Sequence, residues 1–192
     1  QYCKPLHDLV SLRKQVIKRT VLNTLETLIG PIRGVNTHSI LGYVHKAYPP
    51  IYASLCEKAG FTSSFLIRGV EGGVVPSLRQ KGLMISYYGG IEKDRVDIDP
   101  KLLGVDSELR SISFPKKLEN LKDKDLLAKH VVDLGCSALS GDKGMFYDGL
   151  VYSASLILWH LRGSQTLPLA AEMVRSALDS GKALVRLNAG SS

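Results

Sequence analysis

Apolar residues at positions 9, 12, 16, 17, 21, 25 and 28 recur at three- to five-residue steps, which predicts an amphipathic helical region over Leu9 to Ile29 with a break near Lys18. Gly30-Pro31 ends it. The period then shortens. Ser39 to Val44 is an apolar run of strand length, Pro49-Pro50 opens a helix from about Ile51 to Ala59 closed by Gly60, and Ser64 to Arg68 reads as a second strand. Strand, helix, strand with short links predicts a βαβ unit in a mainly parallel sheet. A glycine-rich loop, Gly69-Val70-Glu71-Gly72-Gly73, follows at the carboxyl end of the second strand.

Leu83 to Tyr88 and Arg95 to Ile98, separated by Gly89-Gly90 and charged residues, predict a β pair, and Pro100 to Gly104 a short helical turn. From Lys116 to Lys129 charges alternate, but Leu118, Leu121, Leu126 and Leu127 leave a stripe that fits a solvated helix. Three more helices are expected over Leu126 to Ala138, Tyr147 to Leu161 and Pro168 to Leu187, with Asn188 to Ser192 as a frayed tail. The middle helix is apolar almost all round and should be buried. The expected class is α/β, a mainly parallel sheet with a β pair at one side and flanking helices, with residues 1–192 as one unit. Two parallel strands are few for such a sheet. Either an upstream segment adds strands or a partner covers the open edge.

At 192 residues with 44% hydrophobic and 22% charged, the chain has ordinary globular composition for one core. The apolar run from Gly149 to Leu161 is too short to span a bilayer, so no membrane is expected. Cys3, Cys56 and Cys136 are odd in number, far apart and without CxxC spacing. They argue against a disulfide framework or zinc site and for small buried thiols in a reducing compartment, such as the cytoplasm or an organelle matrix like that of a plastid. The net charge of +7 is uneven, because residues 1–46 hold seven of the 25 Lys and Arg but two of the 18 Asp and Glu. That excess suits a phosphate-bearing partner, and equally a solvated basic face. Nucleophile-elbow, Walker and His-Glu-x-x-His patterns are absent, and His38 and His45 lack a ligand spacing.

The opening segment, Tyr2-Cys3-Lys4-Pro5-Leu6-His7-Asp8-Leu9, then Arg13-Lys14, Arg19-Thr20-(x2)-Asn23 and Pro31, resembles the anthranilate phosphoribosyltransferase family, glycosyltransferase family 3. Arg68-Gly69 with Gly72, Asp148 before the buried helix, and Ser180-Gly181-Lys182-Ala183-Leu184 extend the resemblance to nearly the whole chain. It implies the carboxyl-terminal part of the family's α/β domain, with the amino-terminal helical domain and the Gly-Thr-Gly-Gly-Asp pyrophosphate loop absent from this chain. It also implies that Arg13 orients an acceptor carboxylate through paired hydrogen bonds, and that Gly69 belongs to the substrate loop.

The chain departs from the family pattern at four places. Cys3 stands where the family has histidine, with His7 at a different position of the pattern; Ser153 replaces an asparagine. Val74 and Val75 replace the adjacent acids that hold magnesium. Valines offer no hard oxygen ligand, so no metal ligand is assigned here and magnesium is left to the full-length protein. Two functions remain open. In one, the full-length protein transfers a phosphoribosyl group from phosphoribosyl pyrophosphate to an aromatic amine, this chain alone being inactive. In the other, the chain is similar to a divergent, non-catalytic branch associated with nucleic-acid binding, and Lys14, Lys18, Arg19, Arg33, Arg68 and Arg79 line a basic groove that contacts phosphates. The expected partners are accordingly the donor and an aromatic acceptor, or nucleic acid, together with the missing amino-terminal segment or a homodimer partner.

Overall fold

The computed structural model describes residues 3–16, 21–30, 33–113, 115, 118 and 123–190. Its sheet has four strands in the order β1 (His38–Gly42), β2 (Ser63–Ile67), β3 (Gly82–Tyr88) and β4 (Ile91–Ile98). The first step is parallel, His38 opposite Ser63 and Gly42 opposite Ile67, and the next two are antiparallel. The α/β class and the β pair at one side are as expected, but parallel pairing is confined to β1–β2. The reason is the link: residues 68–81 between β2 and β3 contain one 3₁₀ turn, Val70–Gly72, and no crossover helix, so the chain returns antiparallel.

Helices α1 (Lys4–Asp8), α2 (Val10–Arg13) and α3 (Val21–Ile29) precede the sheet, α4 (Tyr48–Lys58) links β1 to β2, and α5 (Lys124–Leu139), α6 (Met145–His160), α7 (Leu167–Asp179) and α8 (Lys182–Gly190) follow it. The expected helical region over Leu9 to Ile29 is thus in pieces, and its expected break near Lys18 lies outside the described residues. So do residues 116, 117 and 119–122 of the helical stretch expected over Lys116 to Lys129, whose later part lies in α5.

Every residue of β2 is buried, as suits a central strand. Alternation sends Phe65, Ile67 and Met84 to a core with Val151, Tyr152 and Leu156 of α6 and Ala171 and Leu178 of α7. Leu41, Leu66 and Ile85 face the opposite core with Ala53 and Cys56 of α4, joined by Leu28. The result is three layers. No residue of α6 is exposed, as its all-round apolar sequence requires.

The larger differences from the sequence reading lie in β4 and in the last helix. β4 begins at Ile91 because an edge strand can carry Glu92, Lys93, Asp94 and Arg95 toward solvent, and those charges disguise it. Gly89 and Gly90 both have positive φ (53° and 72°) and make the two-residue turn that joins it to β3. The helix expected over Pro168 to Leu187 divides after Asp179, where Gly181 takes a left-handed φ of 68°. The expected frayed tail is helical to Gly190.

Of the cysteines only Cys56 is buried; Cys3 and Cys136 are half-exposed. Cys3 stands just before α1, without a side-chain cap hydrogen bond, and Cys136 lies on α5. Among the described residues no helix is long and apolar enough to cross a membrane.

Candidate functional site

The parallel strands β1 and β2 end side by side, and Tyr43 N–H donates to the Ile67 carbonyl at 3.0 Å just beyond them. From Arg68 the chain turns back over the end of β1. Val70 N–H donates to the Val75 carbonyl at 3.0 Å and Gly73 N–H to the Val70 carbonyl at 2.9 Å. Glu71 and Gly72 both adopt positive φ, 53° and 79°. The loop lies so close that a Cβ on Gly42 would meet the backbone of Gly72 and Gly73, and one on Gly69 the backbone of Gly73. Glycine is thus required at both positions by proximity.

This loop separates two cavities at the carboxyl ends of the strands, where open α/β sheets place their ligands. One, about 530 Å³, is bounded by Gly42, Tyr43, Val44, His45, Tyr48, Gly72 and Val74. The other, about 700 Å³, is lined by Arg68 and Gly69 with Lys46, Gln80, Lys81, Asp97 and Arg110. Burial pushes the Tyr43 hydroxyl pKa up, opposed by the charges of Arg68 and Arg95.

Magnesium does not fit the loop. Val74 is exposed beside Glu71, the loop's one carboxylate, and the Val75 carbonyl is taken by Val70. Among the described residues no three His, Cys, Asp or Glu side chains converge as metal ligands.

Arg13 is engaged. Both of its terminal nitrogens donate to Glu26, one to each carboxylate oxygen, with the Nη2–Oε2 bond at 3.0 Å. The pair ties α2 to α3.

The residues expected to form one basic groove are not brought together. Arg33 donates to the carbonyls of Gly30 and Ile29, both at 3.0 Å, and stacks over Phe61, so it closes α3 and lies before the amino end of β1. Arg68 leaves the carboxyl end of β2, one strand length away, roughly 15 Å. Arg79 donates to the Glu108 carbonyl at 3.4 Å. Lys14 is exposed, and Lys18 and Arg19 lie outside the described residues.

The amino ends of the strands hold a polar chain that sequence reading missed. Ser63 Oγ lies 2.7 Å from His38 Nδ1 and 2.8 Å from His160 Nε2, and Ser86 Oγ lies 3.0 Å from His160 Nδ1. His160 is 1% exposed, between Phe65 and Tyr88. Burial, reinforced by His38 and Arg162, lowers its pKa to about 4, so its ring is neutral near pH 7. Ser63 is buried and linked on both sides, which suits a structural clasp between sheet and α6.

Asp148 lies in the first turn of α6 rather than before it, and burial raises its carboxyl pKa against the charges of Arg175 and Lys143. Lys46, Lys81 and Arg110 were also missed as partners of Arg68, because they come from separate segments and carry no local motif.

No family model matches this chain. An uncharacterized protein of Aquifex aeolicus is 26% identical over 161 residues, 82% of this chain and 46% of that protein. Anthranilate phosphoribosyltransferase of Sphingopyxis alaskensis is 27% identical over 182 residues, covering 94% of this chain and 50% of that protein. The Saccharomyces cerevisiae anthranilate phosphoribosyltransferase solved with 4-fluoroanthranilate matches 95% of this chain and 50% of its own, with a TM-score of 0.71 at 20% identity. The same protein solved with PRPP and Mg matches 95% of this chain and 48% of its own, with a TM-score of 0.67 at 20% identity. The chain resembles these proteins over nearly its whole length and shares their fold. It spans about half the length of the curated relatives it matches.

Proposed function

We propose that this chain is the carboxyl-terminal part of an anthranilate phosphoribosyltransferase-like protein, and that the full-length protein transfers a phosphoribosyl group from phosphoribosyl pyrophosphate to an aromatic amine. The observation that carries this reading is the glycine loop folded over Gly42 at the carboxyl ends of β1 and β2. It creates a concave face where Arg68 meets a phosphorylated ligand. Positive charge there favours the departing pyrophosphate as the sugar becomes oxocarbenium-like. Arg13 takes the acceptor carboxylate by exchanging it for Glu26, one two-pronged carboxylate for another.

The open edge of β1 is where the remaining segment, or a second subunit, would extend the sheet. No step is assigned to a metal here, since the loop lacks ligands for one. Three cysteines without disulfides suit a reducing compartment, the cytoplasm or an organelle matrix.

Calorimetry on the full-length protein tests the reading. Phosphoribosyl pyrophosphate should bind with measurable heat in the presence of magnesium, and an absence of heat would sink the transferase assignment. Arg13→Ala should then weaken the acceptor far more than the donor, whereas equal losses would mean misfolding.

A further inference from the structure

The amino end of the sheet holds a third cavity, of about 440 Å³, between the residues that lead into β1 and the last turn of α6. Its apolar lining is aliphatic, from Ile40, Ile157 and Leu161. Its polar lining is Arg33, Asn36 and His38, all exposed, with Thr37 beside them. Among the described residues no carboxylate lines it. His160 closes one side with a ring that is neutral near pH 7 and stacked between Phe65 and Tyr88, so no aromatic face is left for a ligand.

The donors of this cavity are held in place and only half used. Arg33 gives Nε to the Gly30 carbonyl and Nη2 to the Ile29 carbonyl, both at 3.0 Å, and lies 4.2 Å over the Phe61 ring, which leaves Nη1 without a partner among the described residues. His38 Nδ1 is held 2.7 Å from Ser63 Oγ, which leaves Nε2 without one. The Asn36 side chain makes no hydrogen bond among the described residues. The backbone between them is tied: Thr37 Oγ1 accepts from Gly34 N–H at 3.1 Å, and Thr37 N–H donates to Thr62 Oγ1 at 3.2 Å. Carbonyls at the end of α6, which would repel an anion, are occupied. Leu161 N–H donates to Ile157 at 2.9 Å, Arg162 N–H to Trp159 at 3.0 Å, and the Tyr88 hydroxyl to His160.

We infer that this cavity binds a small aliphatic monocarboxylate, its hydrocarbon body against Ile40, Ile157 and Leu161 and its carboxylate on Arg33 Nη1 and His38 Nε2. One guanidinium N–H and one imidazole N–H match the two oxygens of a single carboxylate, and an ionised acceptor strengthens both bonds. A phosphate group, with three acceptor oxygens and close to two charges, asks for more donors than these. The apolar lining favours a hydrocarbon over a sugar, and the volume falls within the range of small-molecule sites, about 300–1,000 Å³. The cavity lies at the opposite end of the strands from the glycine loop, and neither Arg13 nor Arg68 lines it, so the inference does not rest on the transfer reading.

Hexanoate titrated into the full-length protein at low salt, with the histidine rings labelled with ¹⁵N, should move the His38 signals to saturation, and hexanol should bind about tenfold more weakly. Arg33 also holds backbone carbonyls, so the charge is tested at Asn36, which is exposed and makes no side-chain bond. Asn36→Asp should weaken hexanoate about fivefold and Asn36→Lys strengthen it by a similar factor, both with the circular dichroism spectrum unchanged. Lys58→Gln, on α4, should leave binding intact. Absence of saturable binding overturns the proposal, as does hexanol binding equal to that of hexanoate, or equal effects of the Asp and Lys variants. Displacement of hexanoate by phosphoribosyl pyrophosphate or anthranilate would put it at the other end of the sheet and overturn the proposal as well.

Discussion

The guanidinium of Arg13 is gripped by both carboxylate oxygens of Glu26, across the break between α2 and α3. The side chains are 19% and 37% exposed, so water screens the pair only in part. The arginine proposed to take an acceptor carboxylate thus already holds a carboxylate.

Glu26→Gln should lower the melting temperature by about 2–4 °C, from a loss of about 1 kcal/mol in a chain of this size. In the full-length protein the same change frees Arg13 and should tighten binding of anthranilate while leaving donor affinity alone. Thermal denaturation and calorimetry read the two effects separately; anthranilate affinity that falls together with stability would argue that the pair only holds α2 to α3.

His160 should make the protein acid-labile. Its pKa is about 4 in the fold against an ordinary 6.5, so the unfolded chain binds the extra proton as pH falls. Stability is therefore full above pH 6.5 and declines down to about pH 4, by roughly 3 kcal/mol. Denaturant titrations across that window should show the slope, and His160→Phe should flatten it. An NMR midpoint for His160 above pH 6 would contradict the buried neutral ring.

Two glycine substitutions should act in opposite directions. Gly42→Ala drives a methyl into the backbone of the 69–75 loop and should cost about 1–3 kcal/mol, with lower affinity for any ligand of that loop. Gly135→Ala, inside α5 with nothing within 4 Å of the new methyl, should gain roughly 1 kcal/mol. Chemical denaturation measures both, and equal effects would show that proximity does not set the need for Gly42.

Asp123 accepts from the N–H groups of Asp125 and Leu126, at 3.0 and 3.1 Å, and so starts α5. Asp123→Ala should destabilise by about 1 kcal/mol, while Asp123→Ser should retain most of the stability. Loss of helical signal confined to the thermal transition, without change at 20 °C, is the expected spectroscopic result.

Several features were legible along the chain because local physics decides them. Pro49-Pro50 sits in the first turn of α4, Ser64 to Ile67 forms the core of a buried strand, and Gly89-Gly90 turns a hairpin. β4 was shortened in that reading because its charges face solvent on an edge, and the last helix was overextended because a single glycine breaks a pattern that otherwise continues. Half of the candidate site was likewise visible. Arg68 and Gly69 stand in a motif after a strand, but Glu26 lies thirteen residues from Arg13 across a break, beyond any helical spacing rule.

By itself the sequence determined the α/β class, the βαβ step, and the glycine loop after β2 with Val74 and Val75 at its end. These depend on neighbours within a few residues, through periodicity, turn chemistry and side-chain type. The tertiary structure alone decided that Arg13 is paired, that Arg33 and Arg68 stand at opposite ends of the sheet, and that Lys46, Lys81 and Arg110 join Arg68 around one cavity. Charge is attached to residues, but a site is made by distance, and distances between remote residues are set by packing that no local pattern encodes.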